Sequence, residues 1–348
     1  MNDEYLWNPS SAPDAEIVAL EDALRGYRLK PRALRVFAPR RRWTLIGAAA
    51  AIVVMAGTGV WMARQLTRPE PWSVEAIAGL PVVNDGRGNI TDTLRAGARV
   101  ETDARSVARV VVGRIGIADL EPGSLMDVVR DDAGQHRLSL RRGTLHARIW
   151  APPRFFVVET RSALAVDLGC VYTLRVDSTG SGILAVSYGE VELSGSGRAS
   201  LIVAGTVAGM DSTGPGIPYP IASSIGFQRA VQSADNGRLD AASLDLLLRE
   251  ATVQGSITLW HLLSRVGVRD RAALYDRLAQ LAPPPRGVAR ADVLRLEPAA
   301  LDAWKEALRP MWSSESRSMW RRLLIRLGIV KPVALLQARN ATSQEAGR

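Results

Sequence analysis

Across 348 residues, 47% of them apolar and 23% charged, there is room for two or three packed domains besides any membrane anchor. The one cysteine, Cys170, excludes an internal disulfide and the usual multi-thiolate metal site. The net charge of +9 is unevenly placed: eight cations meet six anions in residues 1–42, 17 meet 17 in 64–218, and 19 meet 12 in 219–348. The neutral middle carries no electrostatic footprint for nucleic acid, and no direct nucleic-acid partner is expected.

Residues 1–42 hold one helix signal. Pro13, Asp14 and Glu16 suit a first turn, with a pre-set backbone angle and anions at the positive end of the dipole. Ile17, Leu20, Leu24 and Tyr27 then recur at spacings of 3, 4 and 3, and Arg25, Arg28 and Lys30 close the stretch. A lone amphipathic helix of about 16 residues cannot bury its apolar stripe and is marginal in water. This segment is therefore expected to bind a partner, its own copy or a membrane surface; the alternative is a loosely ordered tail.

Residues 43–63 (WTLIGAAAAIVVMAGTGVWMA) contain no charge and no proline over 21 positions, the length a helix needs to cross about 30 Å of hydrocarbon. Trp43 and Trp61, 18 positions apart, match the separation of the two aromatic belts of a bilayer. Eight cations, ending in Arg40, Arg41 and Arg42, lie in the 20 residues before this run, and two lie in the 20 after it. The positive-inside bias then puts the N-terminus in the cytoplasm and the chain beyond Arg64 across the membrane. About 40 largely polar residues precede the run, which suits a cleaved signal peptide poorly. The expectation is a single-pass anchor, with the lipid bilayer as a partner and the bulk of the chain across the membrane from the N-terminus. A buried helix of a soluble protein is the alternative.

From 72 to 210 the period changes to two. Strand patterns recur at 72–78, 98–102, 106–112, 114–118, 124–129, 136–140, 145–150, 155–160, 163–168, 171–177, 183–187, 191–193 and 199–203, with Gly- and Asp-rich turns between them. So many short strands predict an all-β domain, built as a sandwich, a roll or a short solenoid. Within it, Gly97-Ala-Arg-Val-Glu101-Thr102 leads into Ser106-Val-Ala-Arg-Val-Val, and Gly143-Thr-Leu-His-Ala is followed by Phe155-Phe-Val-Val-Glu-Thr160. Then come Val166-Asp-Leu-Gly169-Cys170-Val-Tyr172 and Val186-Ser-Tyr-Gly189-Glu-Val-Glu-Leu. In order and spacing these four motifs, over about 120 residues, resemble the FecR domain. Two features depart from that family: Cys170 stands where threonine is usual, and the cytoplasmic segment is shorter than the family's sigma-binding domain. Physically the motif positions read as scaffold, since a glycine marks a tight turn and a threonine hydroxyl can tie neighbouring strands.

Pro215, Pro218 and Pro220 with Gly214 and Gly216 predict a stiff linker over 211–221. Helical patterns follow at 222–234, 239–251, 258–266, 269–281, 292–296, 298–308 and 316–327, an α-helical array over 222–330 interrupted by Pro283-Pro284-Pro285. Leu-Trp260-His261-Leu-Leu with Tyr275-Asp276-Arg277-Leu-Ala is similar to a tail found in some FecR-domain membrane proteins. Residues 331–348 read as a basic flexible tail. From Arg317 onward seven cations face one anion, Glu345, so the last helix suits either packing or an anionic surface.

No catalytic, cofactor or metal constellation is visible. His136 and His146 lack ligand spacing, and His261 beside Trp260 reads as a packing residue. Cys170 in an apolar strand reads as a small buried hydrophobe. A loop at 84–89 lacks the closing acid of a calcium site and reads as a turn. The resemblance implies a non-enzymatic regulator that responds to an outer-membrane receptor or envelope component and acts on a cytoplasmic sigma factor. The alternative is an envelope scaffold that binds peptidoglycan or polysaccharide.

Overall fold

The computed structural model describes residues 15–27, 72–84, 93–132 and 135–312. The expected span 43–63 with Trp43, Trp61 and Arg40–Arg42 lies outside the described residues, as do the helix at 316–327 and the tail at 331–348. Among the described residues no helix is long and apolar enough to cross a membrane. The chain divides into two units, 1–66 and 67–348, each taken by itself below. In the first, helix α1 (Ala15–Leu24) runs into a 3-10 turn at Arg25–Tyr27, and a surface ion pair joins Asp22 to Arg25. Leu20 and Leu24 lie open on it, while the side chains of Ile17 and Tyr27 are outside what is described.

The second unit begins as two sheets sharing one core. One sheet runs β3 (Thr93–Leu94), β1 (Trp72–Ala78), β5 (Val107–Val112), β6 (Gly116–Leu120), β8 (Gln135–Ile149), β11 (Val171–Val176), β12 (Gly182–Tyr188) and β15 (Thr206–Asp211). The other runs β2 (Val82–Asn84), β4 (Arg99–Glu101), β7 (Leu125–Asp132), β8 again, β9 (Phe156–Glu159), β10 (Leu164–Asp167), β13 (Glu190–Gly195) and β14 (Arg198–Val203). Among the described residues the β8–β9 pairing is parallel and the other pairings are antiparallel. The architecture is a sandwich.

Strand β8 belongs to both sheets because its side-chain alternation changes phase. His136, Leu138 and Leu140 are buried in its first half, but Leu145, Ala147 and Ile149 in its second. A one-residue slip turns every side chain to the opposite face. Here that slip keeps both halves pointed at one core while the strand passes from the second sheet to the first. The sequence pattern split this strand in two at the point of the slip. Gly143 makes the turn at φ +100, and a Cβ there would stand 2.2 Å from Ser124 Oγ and 2.4 Å from Ser124 Cα. Trp72, Met126, Phe156 and Tyr172 fill the space between the sheets, fully buried.

Helices α2 (Ile225–Asp235), α3 (Ala241–Glu250), α4 (Ser256–Leu263), α5 (Val268–Leu281), α6 (Arg290–Leu294) and α7 (Pro298–Trp312) follow. Ser224 and Asp240 cap α2 and α3 through side-chain oxygens that accept from Phe227 N–H and Ser243 N–H. Arginine closes the C-terminal ends of α3, α4 and α6. Arg277 donates to the carbonyls of Leu248 and Ala251, and buried Arg271 to those of Leu263, Val266 and Leu294. The helical core of Leu259, Leu262, Leu274, Trp304 and Trp312 also takes in Leu201, Val203 and Ile217 from the β region.

The linker expectation at 211–221 needs correction. Gly214–Pro218 is buried, and short strands β16 (Gly214–Pro215) and β17 (Tyr219–Pro220) pair with β15. Proline lacks a donor but keeps its acceptor, and here the acceptors are used: Pro215 O takes Arg265 Nη2 and Pro218 O takes Thr258 Oγ1. Asp235 of α2 accepts the Ile217 N–H at 2.9 Å. The segment is a strap that fastens the helices to the sandwich.

Gly143→Ala adds a methyl group against Ser124 in a left-handed backbone. Its expected cost is about 2 kcal/mol or more, read from denaturant unfolding; a loss below about 0.5 kcal/mol would show that the β8 bend relaxes freely.

Candidate functional site

The residues singled out by the FecR resemblance lie at corners of the sandwich and form no single site. Thr102 Oγ1 donates to Glu121 O at 2.7 Å and accepts Ser124 N–H at 2.8 Å, and Ser124 in turn packs on Gly143. Gly97 N–H reaches Val128 O at 2.8 Å. Thr160 closes the β9–β10 turn, accepting Ala163 N–H and donating to Ala163 O, both at 2.9 Å. Gly169, Cys170 and Gly189 meet at a third corner, where a Cβ on Gly189 would lie 2.4 Å from Gly169 O. Tyr172 is buried two positions further on.

The third corner places Asp167, which sequence reasoning passed over, beside Cys170 and Tyr172. Asp167, 1% exposed, accepts Gly169 N–H at 2.6 Å and the Cys170 thiol at 2.5 Å. Burial pushes the Asp167 carboxyl up to about 7, against those hydrogen bonds, which favour the charged form. Burial, and then the Asp167 charge, push the Cys170 thiol and the Tyr172 phenol well above their ordinary values. Tyr172 Oη is buried with no hydrogen-bond partner among the described residues. A thiol so held is a poor nucleophile, and Cys170 serves as a buried donor to a carboxyl group.

A groove of about 540 Å³ opens between this end of the second sheet and helices α4 and α7. Arg309 of α7 crosses from the helices to β13, its Nε 2.9 Å from Glu190 Oε2 and its Nη2 on the same oxygen, a contact between residues 119 apart in sequence. Glu190 is 6% exposed. On the opposite wall Arg154 pairs with Glu192 at 3.1 Å. The Lys305 ammonium stands 5.4 Å from the centre of the Trp260 ring. His261 lies behind it, its Nε2 accepting Leu201 N–H at 3.3 Å. Burial, with Arg265 and Lys305 nearby, drives its pKa down to about 3, so it is a neutral packing residue. Trp260 and His261 stood out in the sequence; Glu190, Arg309 and Lys305 did not, because nothing local links them.

The three histidines are separated. His136 Nδ1 accepts the Trp72 indole N–H at 3.2 Å inside the core, and His146 sits between Thr173 Oγ1 and Glu121 Oε1 at 2.8 and 2.7 Å. Among the described residues no group of three His, Cys, Asp or Glu is gathered to hold a metal.

No family model matches the chain, and no curated protein matches it either. Among solved structures the chain is similar to two crystal structures, at 1.65 and 2.50 Å resolution, described as a candidate anti-sigma factor from Parabacteroides distasonis. Each match has 15% identity and a TM-score of 0.30 and covers 33% of this chain. The chain spans 55% of the length of those proteins.

Two outcomes follow for this corner and groove. The unfolded chain releases the Asp167 proton in the ordinary carboxylate range, while the folded chain keeps it up to about pH 7. Stability from this group is therefore full below that range, falls as pH rises toward 7 and is level above it. Asp167→Asn should flatten the fall in Tm between about pH 4.5 and 7.5; an unchanged slope would place the titration elsewhere. Arg309→Ala leaves buried Glu190 without its cation, at an expected cost of about 3–5 kcal/mol. Adding Glu190→Gln should recover part of that loss in a double-mutant cycle on denaturant unfolding, and strictly additive losses would show the two to be uncoupled.

Proposed function

We propose that this chain is a single-pass inner-membrane signal-transduction protein of the FecR-like regulator kind. In this reading the sandwich and its helices face the periplasm and sense an outer-membrane receptor or envelope component. Residues 1–42 carry the state to a cytoplasmic sigma factor. The observation that carries the reading is α1, where Val18, Leu20 and Leu24 are 45%, 61% and 54% exposed on a helix too short to stand alone. Leu20 and Leu24, four positions apart on one face, fit a helix-in-groove contact with a partner. Further support comes from the uncharged run at 43–63 with its one-sided cations, and from the four FecR-like motifs in family order. The body contributes a built scaffold whose motif residues hold corners, as a sensing domain requires.

The test is made in cells with the full chain. Leu20→Glu with Leu24→Glu should abolish co-purification of a sigma factor and change transcription of its target genes, with membrane localisation intact. A phosphatase fused at residue 215 should be active and one fused at residue 30 inactive. Deletion of residues 1–30 with no transcriptional effect would overturn the regulator reading in favour of an envelope scaffold.

A further inference from the structure

We propose that the groove between β14, α4 and α7 binds an extended peptide that adds a strand at Ala199 and carries an acidic side chain toward Lys305. Strand β14 pairs with β13 along one edge. In an antiparallel ladder successive residues point their N–H and C=O groups alternately toward the partner strand and away from it. Leu201 and Val203 point theirs away: Leu201 N–H goes to His261 Nε2, and the Val203 N–H and C=O are both met by the Thr206 hydroxyl, at 3.0 and 2.7 Å. Ala199, two residues earlier, shares this orientation. It is exposed, lines the groove, and its outward N–H and C=O have no partner among the described residues.

The protein thus closes its own strand edge fully at Val203, occupies the outward N–H at Leu201, and leaves Ala199 open inside a walled groove. An open edge is a template for another strand, and an extended peptide supplies the donor and acceptor that Ala199 lacks. The His261 side chain occupies the Leu201 N–H, which limits the added pairing to the Ala199 end. The groove's volume is within the usual range for ligand sites.

Charge selects among peptides. Arg154 is engaged by Glu192, and Arg309 by Glu190 and Glu306. Among the described residues Lys305 has no ion-pair partner and rests on the Trp260 ring, and the Trp260 indole N–H is buried with no acceptor. An Asp or Glu side chain beside Lys305 completes the only uncommitted cation on these walls, among the described residues. The proposal concerns the second unit alone and stands whichever cytoplasmic partner α1 takes.

The probe is a phage-displayed library of linear peptides panned against the full chain in detergent micelles. Enriched sequences should be rich in Asp or Glu and, as synthetic peptides, bind with micromolar Kd. Ala199→Pro removes the outward N–H and leaves the β13 ladder intact, a substitution tolerated on edge strands; it should weaken binding about tenfold or more. Lys305→Ala should weaken acidic peptides about fivefold and leave their Asn or Gln counterparts unchanged. Backbone N-methylation at alternate peptide positions should abolish binding to the wild-type chain, and this series decides the matter should the proline variant not fold. No enriched sequence, or peptides indifferent to both Ala199→Pro and N-methylation, would overturn the proposal.

Discussion

The second unit depends on a single strand doing duty in two sheets. Because β8 runs unbroken from Gln135 to Ile149, the sheets cannot slide or separate without breaking its backbone pairing. The requirement is strict: the side-chain alternation must slip by one residue where the strand changes sheets, or half of it would face water. Gly143 supplies the backbone conformation, and Ser124 fills the space that a Cβ would need. Ser124 in turn is held by Thr102 and by the Thr144 N–H at 3.0 Å. Two of the FecR-like positions, Gly143 and Thr102, thus reduce to support for one bend. Their physical role is topological, and chemistry has to be sought elsewhere.

A second constraint joins sandwich to helices. Side chains of β14 alternate between two cores, Ile202 entering the sandwich and Leu201 and Val203 the helical layer. The strap at Gly214–Pro220 runs alongside and offers carbonyls to Arg265 and Thr258. Arginine is suited to such work because its planar fork reaches two or three carbonyls at once. Arg271 and Arg277 use it on helix ends, and Arg309 uses it on a carboxylate. Of the chain's 44 cationic side chains only Lys30, Lys305 and Lys331 are lysine, and the arginines are put to structural use here.

Much of this fold was legible in the sequence, and the failures have physical causes. Period-two patterning located β1 with its bounds as built and most longer strands within a residue or two. β2, β3, β16 and β17 span two or three residues each, too few for any period to register. The proline strap was misread because a missing donor is visible in a sequence, whereas the use made of a carbonyl is not. The groove was the least legible part. Trp260 and His261 were conspicuous, but Arg309 meets Glu190 across 119 positions, and the open groups of Ala199 are backbone atoms that no side-chain pattern reports.

The two buried acids at the β10–β13 corner show how local geometry decides between neutralising a charge and pairing it. Asp167 sits on a tight turn, with a thiol and backbone amides as its hydrogen-bond donors and no cation in reach among the described residues, so below about pH 7 retaining its proton costs less than ionising. Glu190, first residue of the strand that leaves the same corner, meets a guanidinium from α7. Only the second solution ties the corner to another layer. Gly189, between them in space, packs its backbone on Cys170 so closely that a methyl group would not fit. Glu190 thus links α7 to Gly189, whose backbone packs on the Gly169–Cys170 turn beside Asp167. The groove wall and the sandwich interior are connected by packing at this corner.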